Sequence, residues 1–203
     1  MLKESEQLAM LHHRFCRTLE IEVAYHSFLK KEVMVGESYY CLHEPLREDV
    51  THTLLVTYYS YIYSLFDPSG VHIGRLADDI VNKLPVQGKE ALAIANDTWE
   101  EIKAPISKIR NTIGSHNSPK KSGVAHGYGS YSEIHPLATL LIIKALRLFF
   151  RNAYKVYEPE EPLSTSPTDE ENDILYQEIL KTKGMIEKFT IKDIQKIVQR
   201  TTG

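Results

Sequence analysis

One segment of the chain combines a permanent positive charge with a group that titrates near neutral pH. It reads Ile109-Arg110-Asn111-Thr112-Ile113-Gly114-Ser115-His116-Asn117. The Arg110 guanidinium stays charged and presents a planar fork of N–H donors that suits phosphate oxygens. The His116 imidazole can accept or release a proton close to pH 7. The pair is therefore a candidate for phosphate binding and for acid–base chemistry.

The spacing of the two residues matters for whether they can act together. On a continuous helix, six residues advance about 9 Å and turn about 600°, which leaves the two side chains about 120° apart. Gly114 lies between them, and glycine readily takes the left-handed conformation that ends helices. We expect the helix to stop there and His116 to fold back toward Arg110. The alternative is that both residues only offset the dipole at a helix C-terminus, which is worth about 0.3–1 kcal/mol.

The charge around this segment is uneven. Between residues 102 and 132 the basic side chains are Lys103, Lys108, Arg110, Lys120 and Lys121, and the same window contains no Asp or Glu. The formal charge of the whole chain is -3, which excludes a globally basic nucleic-acid binder. The sequence predicts a local phosphate-binding surface, which a two-fold dimer would double.

Helical periodicity dominates the elements that must position the segment. Apolar residues recur at three- and four-residue steps, as in Leu8, Leu11, Phe15 and Leu19. The predicted helices span about residues 3–32, 45–66, 72–84, 89–114 and 136–156, with two more around Ile174 and after a Thr190 cap. Pro105 should bend the fourth helix without starting a new domain. Gly36 and residues 39–41 are interpreted as a connection, and 33–35 as too short for a strand.

These patterns predict an all-α fold, an antiparallel bundle of about five helices with additional C-terminal helices. The bundle is expected over residues 1–157. Residues 158–171, rich in proline, serine, threonine and acidic residues, are expected to be a linker, and 172–203 a C-terminal helical extension. Residues 117–134 are rich in glycine and are predicted to form a long loop, in which His126, Tyr128 and Tyr131 are candidates for stacking on RNA bases, although ordinary loop roles remain open.

Several classes of site and location are disfavoured. The chain contains no phosphate-binding glycine loop, GxSxG, CxxC or HExxH motif. His12 and His13 point to different helix faces, so that no metal site is expected with His26 or His52, and no cofactor is implied. The apolar run 137–150 is interrupted by charge, and no signal peptide is visible. We expect a cytoplasmic protein with two reduced cysteines and no membrane segment.

The Arg110-Asn111 pair, five intervening residues and His116 resemble the signature of the HEPN superfamily, whose members are all-α bundles. A narrower likeness covers roughly residues 5–155. It rests on Tyr58-Tyr59-Ser60-Tyr61-Ile62-Tyr63-Ser64-Leu65-Phe66-Asp67-Pro68, a short helix and then the segment 109–117. These features resemble the abortive-infection, phage-defence branch of the superfamily.

The resemblance implies a metal-independent endoribonuclease that acts as a homodimer, in phage defence or in a toxin–antitoxin system with an inhibitory protein partner. Arg110 and His116 would be catalytic, with Asn111 supporting them, and the RNA-binding candidates are Lys108, Lys120, Lys121, His126 and Tyr128. His116 would move protons at the ribose 2′-hydroxyl or the leaving oxygen while Arg110 stabilises the phosphate. The alternative is a non-catalytic HEPN-type module for dimerisation or for binding a nucleotide or partner.

Overall fold

The chain folds as a bundle of helices, confirming the all-α fold class predicted from its periodicity. The computed structural model describes residues 3–29, 32–35, 38–41, 44–114, 129–157 and 168–202. Within these ranges the α-helices are α1 Glu4–Leu29, α2 Glu44–Phe66, α3 Ile73–Ile80, α4 Val86–Ile109, α5 Ala138–Tyr157, α6 Asp169–Lys188 and α7 Ile191–Thr202.

A small β-hairpin connects α1 to α2. Strand β1 spans Glu32–Val35 and pairs antiparallel with β2, Ser38–Cys41, so that Glu32 lies opposite Cys41 and Val35 opposite Ser38. The prediction that residues 33–35 are too short for a strand was therefore wrong. Each strand has four residues, too few for alternation to show, and the hairpin is stabilised by pairing of two segments that are unremarkable when taken singly.

Three short helical turns refine the predicted boundaries. A 3-10 turn at Val81–Lys83 follows α3, and a second at Ser130–Glu133 occupies the end of the region predicted to be a loop. The predicted fourth helix does reach Gly114, but its last five residues, Arg110–Gly114, form a π turn. α4 is continuous through Pro105, which is buried.

The core lies between two packed helix pairs, α1 with α2 and α4 with α5. Ile142, Leu146 and Phe149 are fully buried along α5. Phe150 of α5 also meets Phe15 of α1, with ring centroids 5.1 Å apart. No helix in the described ranges has both the length and the hydropathy required to cross a membrane.

The C-terminal helices begin at well-formed caps. Thr168 and Glu171 form a reciprocal capping box, in which the Thr168 Oγ1 accepts from the Glu171 N–H and a Glu171 carboxylate oxygen accepts from the Thr168 N–H. Residues 169–171, placed in the linker by the sequence, therefore belong to α6. Leu175 and Ile179 of α6 are buried in the same core as the bundle. The division of the chain into domains stays a prediction.

Candidate functional site

Arg110 occupies an irregular part of the backbone. It is the first residue of the π turn that continues α4, and its N–H donates to the carbonyl oxygens of residues three and four positions earlier. In the same turn the Thr112 hydroxyl donates to the Lys108 carbonyl oxygen at 2.6 Å. Single π turns in helices are frequent at functional sites. The irregular turn thus coincides with the arginine that the sequence singled out.

The Arg110 guanidinium lies over the ring of Tyr63, on α2. Its Cζ is 4.5 Å from the ring centroid, a distance typical of a cation–π contact. Both side chains are half-buried. An aromatic ring competes weakly for N–H donors, so the contact orients the guanidinium and leaves it able to bind an anion. Tyr63 also meets Trp99 of α4 edge to face, with centroids 5.6 Å apart, so that the ring supporting Arg110 is itself held in place.

A carboxylate lies near this arginine. Hydrogen bonds from Ser69 lower the pKa of Asp67, and the positive charge of Arg110 adds to that effect. The Ser69 N–H donates to Asp67 Oδ1 at 3.0 Å, which holds the turn after α2. Arg110 therefore has an aromatic support and lies within the electrostatic influence of a carboxylate.

The basic segment predicted from the sequence is less basic in space. Lys103 forms an ion pair with Glu100, and the Lys108 Nζ lies 3.6 Å from a carboxylate oxygen of Glu133. Both acids lie just outside the acid-free window of the sequence. These exposed pairs contribute little stability, yet each supplies a local negative charge beside a lysine of the basic segment, and Lys108 is one of the predicted RNA-binding residues. The acid-free window of the sequence is therefore not free of neighbouring carboxylates in space.

A groove opens between the end of α2 and the face of α4, next to Arg110. Its volume is about 460 Å³, and it is lined by Tyr63, Phe66, Asp67, Pro68, Trp99, Glu100, Lys103, Ala104 and Ser107. Phe66 and Trp99 stack almost parallel in its wall, with centroids 4.8 Å apart and an interplanar angle of 9°. Tyr63 belongs both to this groove and to the Arg110 contact. The periodic aromatic residues of the sequence give no indication that a groove lies here.

The structure brings only part of the predicted site together. Arg110 and the exposed Asn111 share the π turn, and Lys108 lies two residues before Arg110, at the end of α4. The other predicted site residues are outside the part of the chain that the structure describes: His116, Lys120, Lys121, His126 and Tyr128. Two statements therefore remain predictions. One is that the helix ends in a left-handed Gly114, and the other is that His116 approaches Arg110.

The tyrosine at the end of the predicted loop has a packing role. The Tyr131 hydroxyl lies 3.1 Å from His52 Nε2, and its ring lies 6.0 Å from that of Tyr59. Of the two roles considered from the sequence for Tyr131, the structure therefore favours the ordinary one. The contact anchors the second 3-10 turn on α2.

The N-terminal histidine considered as a metal ligand is engaged elsewhere. His12 packs on Phe150 and Tyr154, and its Nδ1 lies 3.2 Å from the Tyr154 hydroxyl. Burial lowers the pKa of His12, and His13 lowers it further. Within the described ranges, no group of three or more His, Cys, Asp or Glu residues is gathered closely enough to hold a metal ion.

Comparisons of the chain with protein-family models, with curated proteins and with solved structures found no match. The case for a function therefore rests on the sequence motif and on the geometry around Arg110.

Proposed function

We propose that this protein is a metal-independent endoribonuclease of the HEPN type that acts in phage defence or in a toxin-like system. The observation that carries the proposal is the position of Arg110. Arg110 lies on a π turn, six residues before His116 in the chain. The ring of Tyr63, on α2, orients its guanidinium. That arrangement supplies an oriented, permanently charged phosphate ligand close in sequence to a potential proton carrier.

The proposed reaction is an intramolecular transesterification. The ribose 2′-oxygen attacks the adjacent phosphorus while His116 accepts its proton, and Arg110 stabilises the charge on the phosphate oxygens. The bond from phosphorus to the 5′-oxygen breaks, and that oxygen takes a proton from the second His116 of a homodimer. The products carry a 2′,3′-cyclic phosphate and a 5′-hydroxyl, so that atoms and protons balance. Asn111, exposed beside Arg110, is suited to orient the scissile phosphate.

A growth assay tests this proposal in cells. Expression of the wild type is expected to slow growth, and His116→Ala is expected to relieve the effect while the protein stays folded by circular dichroism. His13→Ala is the matched control, because His13 is an exposed histidine on α1 and is not part of the motif. Equal toxicity of wild type and His116→Ala would reject the ribonuclease role. Relief by the control as well would show that histidine loss acts through folding or expression.

The alternative is a non-catalytic HEPN-type module that dimerises and binds a nucleotide or a protein partner. The observation that favours it is the acidic surroundings of the predicted phosphate ligands, with Asp67 near Arg110 and Glu133 beside Lys108. A module of this kind would form a stable dimer and bind its partner equally well after Arg110→Ala. Sedimentation of the wild type as a strict monomer at micromolar concentration would count against both functions.

A further inference from the structure

The groove beside Arg110 has a mixed lining of a kind that recognises flat polar ligands. Three aromatic side chains, Tyr63, Phe66 and Trp99, form its apolar wall. Asp67, Glu100, Lys103 and Ser107 supply its polar groups. A volume of about 460 Å³ falls in the usual range for small-ligand pockets. An aromatic wall with a few polar groups at its rim fits a heterocycle that stacks and hydrogen-bonds along one edge.

The polar lining favours a base that donates hydrogen bonds. Asp67 and Glu100 are acceptors when ionised. Asp67 Oδ1 already accepts from the Ser69 N–H, which fixes the carboxylate, but a carboxylate has further lone pairs with which to accept. Glu100 is paired with Lys103, so that an acceptor and a donor are held side by side.

Among the bases, guanine matches this lining best. Its N1–H and N2–H are adjacent donors that a carboxylate accepts as a pair, and its O6 is an acceptor for an ammonium group. Uracil presents two carbonyl oxygens around a single N–H, and these would repel the carboxylates. Charge complementarity along the edge of the base therefore separates the two.

We infer that this groove is a guanine subsite, which holds the base of a nucleotide whose phosphate binds to Arg110. The shared residue is Tyr63, which lines the groove and also supports the arginine. Base and phosphate of one nucleotide would then lie on two sides of the same ring. That the nucleotide belongs to an RNA substrate rests on the proposed ribonuclease function, whereas the subsite itself does not.

The chain contains one tryptophan, and that residue is in the groove wall, so its fluorescence reports occupancy directly. The experiment titrates the full chain with 5′-GMP, 5′-AMP, 5′-CMP and 5′-UMP. Trp99 is excited at the red edge of its absorption, and free tryptophan amide corrects for the absorbance of the nucleotides. We expect a saturable change with GMP, at an affinity about fivefold or more above that for UMP, the low end of discrimination by a bidentate contact.

Variants assign the two halves of the ligand. Asp67→Asn keeps an oxygen for the Ser69 N–H but removes the charge, and it is expected to abolish the preference for GMP over UMP. Asp97→Asn is the matched control, since Asp97 is exposed on α4 and does not line this groove. Arg110→Ala is expected to lower the affinity for GMP and to leave the affinity for guanosine, which has no phosphate, unchanged.

Absence of a saturable change with all four nucleotides, or equal affinities for them, would overturn the subsite. So would loss of the GMP preference in Asp97→Asn to the same extent as in Asp67→Asn. Binding of GMP without any RNA cleavage would support the subsite and count against the ribonuclease. RNA cleavage by a protein whose fluorescence does not respond to GMP would do the reverse.

Discussion

The guanidinium of Arg110, on the turn that continues α4, lies 4.5 Å above the ring of Tyr63 on α2. The contact joins the two helices that form the groove and fixes the residue to which the proposed chemistry is assigned. Cation–π contacts of this kind are worth about 0.5–2 kcal/mol depending on their solvation. Tyr63 is therefore a positioning residue whose removal should affect activity through Arg110.

Two replacements of Tyr63 distinguish the contribution of its aromatic ring from that of its hydroxyl. Tyr63→Leu removes the aromatic face and should lower kcat for RNA cleavage by about 2- to 30-fold, the rate equivalent of the lost contact. Tyr63→Phe keeps the face and should stay within about twofold of wild type. Steady-state kinetics on a fluorescent RNA measures both. Equal loss of activity in the two variants would show that the hydroxyl is the important group.

The lowered pKa of Asp67 predicts that part of the free energy of unfolding is lost at acidic pH. Because the folded-state pKa lies below the unfolded value, ionised Asp67 stabilises the folded protein above the ordinary carboxyl range, and this contribution is lost as pH falls through the folded-state pKa. Asp67→Asn should therefore be less stable than wild type near neutral pH, with the difference shrinking below about pH 4. Thermal melts between pH 3 and 7 measure this difference. A difference in Tm that stays constant over the range would contradict the assignment.

His135 ties the start of α5 to the end of α6. The Leu137 N–H donates to His135 Nδ1 at 3.1 Å, and His135 Nε2 lies 2.8 Å from the Phe189 carbonyl oxygen. Since Nδ1 accepts, the neutral ring carries its proton on Nε2 and donates to that carbonyl. His135→Leu should destabilise the protein by about 1–3 kcal/mol, because His135 is buried and two polar backbone groups lose their partner. Urea denaturation measures this loss, with His13→Leu as the exposed control; equal stability of the two variants would refute it.

The capping box at Thr168 predicts a local effect on α6. Thr168→Ala removes the acceptor for the Glu171 N–H, at 3.2 Å, and should cost about 1 kcal/mol. Hydrogen exchange should show faster exchange in the first turn of α6, with α4 unaffected. Thr190→Ala is a control cap at the next helix, where the Asp193 N–H lies 3.3 Å from Thr190 Oγ1. Unchanged protection of α6 in Thr168→Ala would show that packing alone fixes this helix start.

The helices were predictable because each depends on periodicity within its own sequence. The Leu8, Leu11 and Phe15 positions are buried as their spacing indicates. The hairpin was not, since its pairing is a contact between two segments that carry no local pattern. The π turn was missed because the spacing of Ile102, Ile106 and Ile109 suits an uninterrupted α-helix equally well.

The surroundings of the candidate site were hidden for a related reason. The count of charges along the sequence found no acid near Arg110, but Asp67, which follows α2, lies close enough for the charge of Arg110 to lower its pKa. The sequence pattern around Tyr63 indicates a core residue, because Tyr63 is one of several aromatic residues at helical spacing. Its contact with Arg110 depends on the packing of α2 against α4, which single-sequence patterns do not contain. The candidate arginine could thus be predicted from the sequence, whereas the residues around it could be identified only from the structure.

The most direct measurement is cleavage of a fluorescent single-stranded RNA in excess EDTA by purified wild type, His116→Ala and Arg110→Ala. Arg147→Ala, at an exposed position of α5, and His13→Ala serve as matched controls. We expect cleavage by wild type and both controls, fragments that end in 2′,3′-cyclic phosphate, and no cleavage by the two motif variants. Cleavage by His116→Ala at the wild-type rate, or wild-type cleavage that EDTA abolishes, would contradict it.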